Sequence, residues 1–218
     1  MFVFSNLATS LDGKIGLADR SHFPIGTSED RKHMQVLRKQ CDIVIFGAAT
    51  LRSFQRPCGI RDGSRKIWNG VISRNLEGFS PDWPFFTSPD IDRILFVQED
   101  TPADRLRPYE ASSKIVKLKK SGEPTAHQIL NSLQQFQGIS RVLVEGGGAV
   151  MWDFASQDLI DEYHVTLTPR ILGGAEAPTL VDGLGLTKEQ VINLKLNQCR
   201  QVGDELYLIY KKTGRHGP

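Results

Sequence analysis

Between Val142 and Phe154 the chain reads VLVEGGGAVMWDF. An apolar run ends in a carboxylate, Glu145, and is followed by Gly146, Gly147, Gly148 and Ala149 before a second apolar run. A helix that starts directly after a buried strand offers unpaired N–H groups and the positive end of its dipole. With no side chains in the way, phosphate oxygens can reach those amides, so EGGGAV has the makings of an anion cradle. Taken alone, the triplet reads equally well as a tight turn that needs positive φ. No Gly-Lys-Ser/Thr follows and GxGxxG is absent, so neither common nucleotide fingerprint applies.

Two further strand ends carry anion-compatible groups. In VIFGAATLR an apolar run meets Gly47 and a helix start bearing the Thr50 hydroxyl; an ordinary capped helix is the plainer reading of that segment taken alone. In VISRN, Ser73 and Arg74 follow an apolar run, where a hydroxyl and a planar guanidinium suit a phosphate monoester. A solvated loop arginine is the alternative there. Ligands of open α/β sheets collect at the carboxyl ends of parallel strands. Two cradles and a monophosphate clamp together fit an adenine dinucleotide with an extra phosphate, NADPH. Glu145 closes an apolar strand and needs a partner, which a substrate amine or sugar hydroxyl would provide.

The elements that must position these groups alternate along the chain. FVFSNLA reads as a strand, and SLDGKIGL as a turn cornered at Asp12-Gly13 that returns as a short strand. TSEDRKHMQVLRKQ carries a helix start, with Thr27 as cap, Asp30 three residues on, and Met34, Leu37 and Cys41 on one face. DIVIFG, RKIWNGVIS, RILFV, KIVKL and RVLVE read as strands. AATLRSF, TPADRLRPY, TAHQILNSLQQF and GGAVMWDFA read as helices. The stretch holding Pro81, Pro84 and Pro89 reads as a long loop. EYHVTLTP and ELYLIYKK alternate strongly and read as antiparallel strands at the end of the sheet. The pattern is one α/β domain over residues 1–212, mostly parallel with antiparallel C-terminal strands, and a disordered tail at 213–218.

Composition narrows the function classes. The 218 residues carry a formal charge of +2 with no block of like charge, which disfavours a nucleic-acid or membrane surface. Cys41, Cys58 and Cys199 form no CxxC pair, and His22, His33, His127, His164 and His216 show no metal-ligand spacing, so no metal is expected. MFVFSNLATSLDGK does not read as a signal peptide, and no stretch is long enough to cross a bilayer; the cytoplasm is the expected compartment.

The segments SNLATSLDGKI, EDRKHMQVLRKQCDIVIFGAATL, VEGGGAVMWDF and DEYHVTLTPRILGGAEAPTLVDGLG together resemble the riboflavin-biosynthesis reductases of the dihydrofolate-reductase-like fold, the stand-alone archaeal type more than the bifunctional bacterial one. The last segment is the most specific, and the fit is weakest from about Leu51 to Pro108. The resemblance implies a three-layer α/β fold and a homodimer. It implies NADPH-dependent reduction of a ribosylaminopyrimidine 5′-phosphate, of the uracil or diaminopyrimidine type, to its ribitylamino form by hydride transfer to an imine carbon. By the same resemblance Ala8, Thr50, Ser73 and the Gly146–Ala149 turn contact the cofactor, with a cis peptide at the glycine pair. Asn6, Arg38, Arg61 and Glu145 hold the substrate, with Arg38 and Arg61 on its 5′-phosphate and Glu145 near the imine.

Two departures stand out. The acidic pair and proline that the family places shortly after the threonine are replaced by LRSFQRP, putting Phe54 where a carboxylate would contact the cofactor. Asn6 replaces the lysine of the bacterial branch. A paralogue acting on another small heterocycle or sugar phosphate, dihydrofolate included, and a non-catalytic nucleotide-binding homologue are the alternatives. A pterin reductase calls for a lone buried carboxylate on the first helix, whereas Glu29 and Asp30 read as helix-start acids.

Overall fold

The computed structural model describes residues 1–21, 23–123 and 125–213. His22, His216 and all of the expected tail except Thr213 lie outside the described residues. The elements in chain order are β1 (Phe2–Thr9), α1 (Ser28–Arg38), β2 (Ile43–Gly47), α2 (Ala48–Phe54), β3 (Trp68–Ile72), α3 (Pro84–Thr87), β4 (Asp92–Gln98), α4 (Ala103–Glu110), β5 (Lys114–Leu118), α5 (Thr125–Leu133), β6 (Arg141–Gly146), α6 (Gly148–Ala155), β7 (Glu162–Leu167), β8 (Leu194–Val202) and β9 (Glu205–Lys212). Among the described residues, nine strands form one sheet in the order β5-β4-β3-β2-β6-β1-β7-β9-β8.

Alternation along the central strands sorts their side chains onto two faces. Ile43, Ile45, Ile94, Phe96, Val142 and Val144 pack with Ile129 and Leu133 of α5 and Val150 and Phe154 of α6. Their neighbours Val44, Phe46, Leu95, Val97 and Leu143 pack with Leu37 of α1, Phe85 and Phe86 of α3 and Leu106 of α4. Helices cover both faces, giving three layers. That is why these strands read as unbroken apolar runs. Each such side chain stabilises the fold by about 1.5–3 kcal/mol relative to exposure.

β7 pairs in parallel with β1 and antiparallel with β9, so it lies inside the sheet. The expected antiparallel pairing of EYHVTLTP with ELYLIYKK is present, but β7 stands third from the sheet's end and runs parallel to β1 on its other side. Sequence alternation reports how a strand's faces are covered; it carries no information on strand direction. The outermost strand on this side is β8, which pairs antiparallel with β9. Its residues are nearly all exposed and five of the nine are polar or charged, so it left no clear apolar run to read. The return strand expected after Asp12-Gly13 is instead a single bridge between Lys14 and Thr179, because the partner segment is a loop that offers no continuing ladder. The proline-containing stretch holds the one-turn α3, whose Phe85 and Phe86 are buried.

Thr27 caps α1 by accepting from the Glu29 amide at 3.2 Å. Its own N–H donates to Glu205 Oε1 of β9 at 2.9 Å, so Asp30 does not complete a capping box. Asp30 turns inward instead.

Candidate active site

The C-terminal tips of β2, β3, β4, β5 and β6 border a cleft of about 740 Å³. Its wall includes Thr50, Ser73, Arg74, Gly147, Gly148 and Ala149, which the sequence places far apart. Ala8 and Gly146 do not contribute to that wall.

Each of the three glycines has its own reason. Gly146 has φ +80°, and a Cβ there would stand 2.9 Å from Leu7 Cδ2. A Cβ on Gly148 would stand 2.3 Å from Asp182 Oδ2 and 2.6 Å from the Thr179 carbonyl, because the 179–182 strap crosses this position. The Asp182 amide donates to the Gly148 carbonyl at 3.0 Å, fixing the strap. Gly147 is different. Its φ is −59°, and a Cβ would meet nothing closer than Ile15 Cδ1 at 3.8 Å. The protein itself leaves room for a side chain at Gly147; what the missing Cβ keeps clear is the cleft. Gly147 is the N-cap of α6, makes no side-chain capping bond, and leaves the first amides of that helix available to an anion. The Gly146–Gly147 peptide is cis.

Ser73 is buried, and its oxygen accepts from the Leu76 amide at 3.0 Å, which leaves the hydroxyl proton to donate. The adjacent Arg74 carbonyl accepts from Thr101 Oγ at 3.0 Å and the Gln98 amide at 3.1 Å, so the turn is held while the Arg74 side chain is exposed. Gly47 caps α2 with extended backbone and no side-chain bond, beneath Thr50. Arg20, Lys119 and Lys120 add positive charge to the wall; Asp153 and Asp182 add negative charge. Burial raises the Asp153 carboxyl. These five residues escaped the sequence reading, although the KLKK segment ends a strand and the strand-tip rule points to it. Phe54 lies on the wall and is 54% exposed.

The opposite wing of the site lies under α1. Arg38 Nε donates to Glu145 Oε1 at 2.8 Å and Arg38 Nη2 to Oε2 at 2.6 Å, with both side chains about nine-tenths buried. Burial opposes the charge on Arg38, but the Glu145 carboxylate outweighs it and holds the guanidinium above its ordinary pKa. The partner that Glu145 needs is therefore Arg38. Cys41 and Cys58 border the pair, and burial pushes both thiols up to about 12, so neither supplies a thiolate at neutral pH. Arg61 is exposed, and its backbone amide donates to Gln35 Oε1 of α1 at 2.9 Å, one turn from Arg38. Asn6, on β1, is 8% exposed, and its Oδ1 has no hydrogen-bond partner. Asp12 accepts from Ser10 Oγ at 2.6 Å and from the Leu172 and Gly173 amides at 3.1 and 2.7 Å. Those bonds hold its carboxyl at about 2 and tie the first turn to the 172–173 loop, as befits a turn residue.

The fold is a mostly parallel α/β sheet with a cleft across its strand tips, the place where ligands of such sheets collect. The chain belongs to the RibD C-terminal domain family, whose model matches residues 1–208. It is 26% identical over 216 residues to the 2,5-diamino-6-ribosylamino-4(3H)-pyrimidinone 5′-phosphate reductase of Methanothermobacter thermautotrophicus, covering 98% of this chain and 99% of that one. Among solved structures it superposes on Acinetobacter baumannii RibD with a TM-score of 0.77 at 20% identity, covering 97% of this chain and 58% of that one. The chain thus spans little more than half of that RibD. Dihydrofolate reductase from Enterococcus faecalis, complexed with NADP(H), shares the fold with a TM-score of 0.54 at 13% identity, covering 97% of this chain and 96% of that one.

Proposed function

We propose that this chain is the NADPH-dependent reductase of riboflavin biosynthesis that converts a ribosylaminopyrimidine 5′-phosphate to its ribitylamino form, acting as one domain over residues 1–212. The observation that carries the reading is Gly147, whose missing side chain serves no packing need and keeps the cleft open to main-chain amides. The family and the named reductase relative supply the reaction class.

When bound, NADPH supplies a hydride to the imine carbon of the opened glycosylamine. In this reading the amides of Gly147, Gly148 and Ala149 hold the pyrophosphate, and Thr50 lines the second cradle. The Ser73 hydroxyl and the Arg74 fork take the monoester. Arg38 pairs with Glu145 through Nε and Nη2, which leaves Nη1 outside the pair for the substrate phosphate, with Arg61 one turn away. Glu145, held by Arg38, orients polar groups of the substrate near the reacting carbon. Positioning of this kind supplies much of the rate.

A second reading, dihydrofolate reduction, gains one specific observation: Asp30 of the first helix is half-buried, with its Oδ1 closed to solvent. The reductase reading carries a cytoplasmic location and a homodimer. The apolar groove of about 420 Å³ lined by Leu7, Met151, Val165, Leu180, Leu208 and Tyr210 is the face that suits a second copy. The test is purified protein with NADPH and either the ribosylaminopyrimidine phosphate or dihydrofolate, followed by cofactor absorbance. Oxidation with the phosphate alone supports the first reading. Oxidation with dihydrofolate alone supports the second, and oxidation with neither removes both.

A further inference from the structure

Between α2 and β3, residues 55–67 form neither helix nor strand. Such a stretch has no backbone ladder of its own, yet Cys58 to Arg61 is stitched from two sides by side-chain amides. From α1, Gln35 Oε1 accepts from the Arg61 amide at 2.9 Å and Gln35 Nε2 donates to the Gly59 carbonyl at 3.4 Å. From β3, Asn69 Oδ1 accepts from the Cys58 amide at 2.8 Å and Asn69 Nδ2 donates to the Cys58 carbonyl at 3.3 Å. Each side-chain amide therefore serves an N–H and a C=O of the loop, as a neighbouring strand would. Within the same stretch Ile60 joins the core cluster that includes Leu37 and Val71.

Asn69 is fully buried on a central strand, where an apolar residue is the default. A buried amide is costly unless its donor and its acceptor are both used, and here both are spent on Cys58. Gln35 stands three residues before Arg38 on α1, so the helix that presents the buried guanidinium also docks the loop. What the clamped loop carries is Arg61. Its side chain is exposed and makes no ion pair among the described residues, while its main chain is fixed. An unclamped loop arginine loses main-chain freedom when it grips a ligand. Here that loss is incurred on folding, which leaves more of the contact to show as affinity.

We infer that Gln35 and Asn69 are positioning residues, which preorganise the 58–61 loop so that Arg61 meets the 5′-phosphate of the substrate alongside Arg38. Neither touches the substrate; both act through Arg61. This role rests on the reductase reading given above and deepens it by naming what holds the phosphate end of the site in place.

The experiment is a double-mutant cycle of Gln35→Met with Arg61→Ala. Calorimetry on the NADP⁺-loaded protein gives dissociation constants for the ribosylaminopyrimidine 5′-phosphate and for its dephosphorylated form. Steady-state assays with NADPH give KM and kcat. Gln35→Met keeps the length of the side chain and removes both hydrogen bonds. It should weaken binding of the phosphate form about tenfold, through KM rather than kcat, and leave the dephosphorylated form within about twofold. In the Arg61→Ala background the same substitution should change nothing further, a result that a merely structural role would not give. Asn69→Leu should act in the same direction with a lower melting temperature. Gln35 is only half-buried, so its cycle decides the matter if Asn69→Leu fails to fold. Equal weakening of both forms by Gln35→Met, or an undiminished effect without Arg61, overturns the inference. Wild-type binding that is indifferent to the phosphate overturns it as well, and a folded Asn69→Leu with wild-type phosphate affinity removes Asn69 from it. Absence of turnover by wild type, with the binding cycle as expected, overturns the reductase reading and leaves the positioning role supported.

Discussion

Arg38 and Glu145 meet across 107 residues of sequence, two parallel hydrogen bonds of 2.8 and 2.6 Å joining the end of α1 to the end of β6. The pair is shielded from water. Removing one member of such a pair strands the other as a buried charge, at about 3–5 kcal/mol, whereas replacing both with apolar groups of similar volume is often close to neutral. Glu145→Ala and Arg38→Ala should each lower stability by about that amount in urea titrations, and Arg38→Met with Glu145→Leu should recover most of it while abolishing turnover. A double variant no more stable than the singles would show that the pair is not acting as a unit.

Gly147 and Gly148 should behave oppositely. Gly147→Val leaves the fold's packing intact and projects into the cleft, so NADPH affinity should fall by about 10–100-fold with circular dichroism and melting temperature little changed. Gly148→Ala drives a Cβ into Asp182 and the Thr179 carbonyl, so it should lower the melting temperature first. Unchanged cofactor affinity in Gly147→Val would remove the cradle.

Arg74 offers a planar, exposed fork at the tip of β3 on a turn fixed by Thr101 and Gln98. If it holds the monoester, Arg74→Ala should raise the KM for NADPH by about tenfold and leave the weaker KM for NADH nearly unchanged. Parallel steady-state titrations with the two coenzymes check this, and equal shifts would place Arg74 outside the clamp.

Acid should weaken the fold in a defined window through His33. Burial, then the neighbouring His164 and Arg200, hold its pKa at about 4, against 6.5 for the unfolded chain. Between those values the unfolded state binds the extra proton, so stability falls as pH drops from about 6.5 to about 4 and levels off below. Asp30, raised by burial, works in the opposite sense just above pH 3.8. Melting temperatures across pH 4–7 should show a shallower decline for His33→Gln than for the parent. Parallel curves would exclude His33 as the source.

Much of the architecture follows from short-range pattern. Apolar runs such as IVIF and VLV, each ended by glycine or a carboxylate, mark strand tips because strand propensity, turn chemistry and helix capping depend on residues a few positions apart. Those tips carry Thr50, Ser73, Arg74, Gly147 and Gly148, so these groups bordering the cleft were legible residue by residue. The parallel pairing of β7 with β1, the existence of the exposed β8 and the inward turn of Asp30 were not. A helix-start acid facing water and one turned against the sheet have the same local sequence, and they differ only in what β7 and β9 place beside them.

The amino-acid sequence by itself determined that strands and helices alternate, where the strands end, and which anion-compatible groups stand at those ends. Tertiary structure alone decided that Glu145 is matched by Arg38, that Gly148 yields to a strap while Gly147 yields to the cleft, and that Asp30 is desolvated. The physical reason is range: backbone preferences are settled within a turn or two of chain, whereas the cost of burying a charge or adding a Cβ is set by neighbours through space.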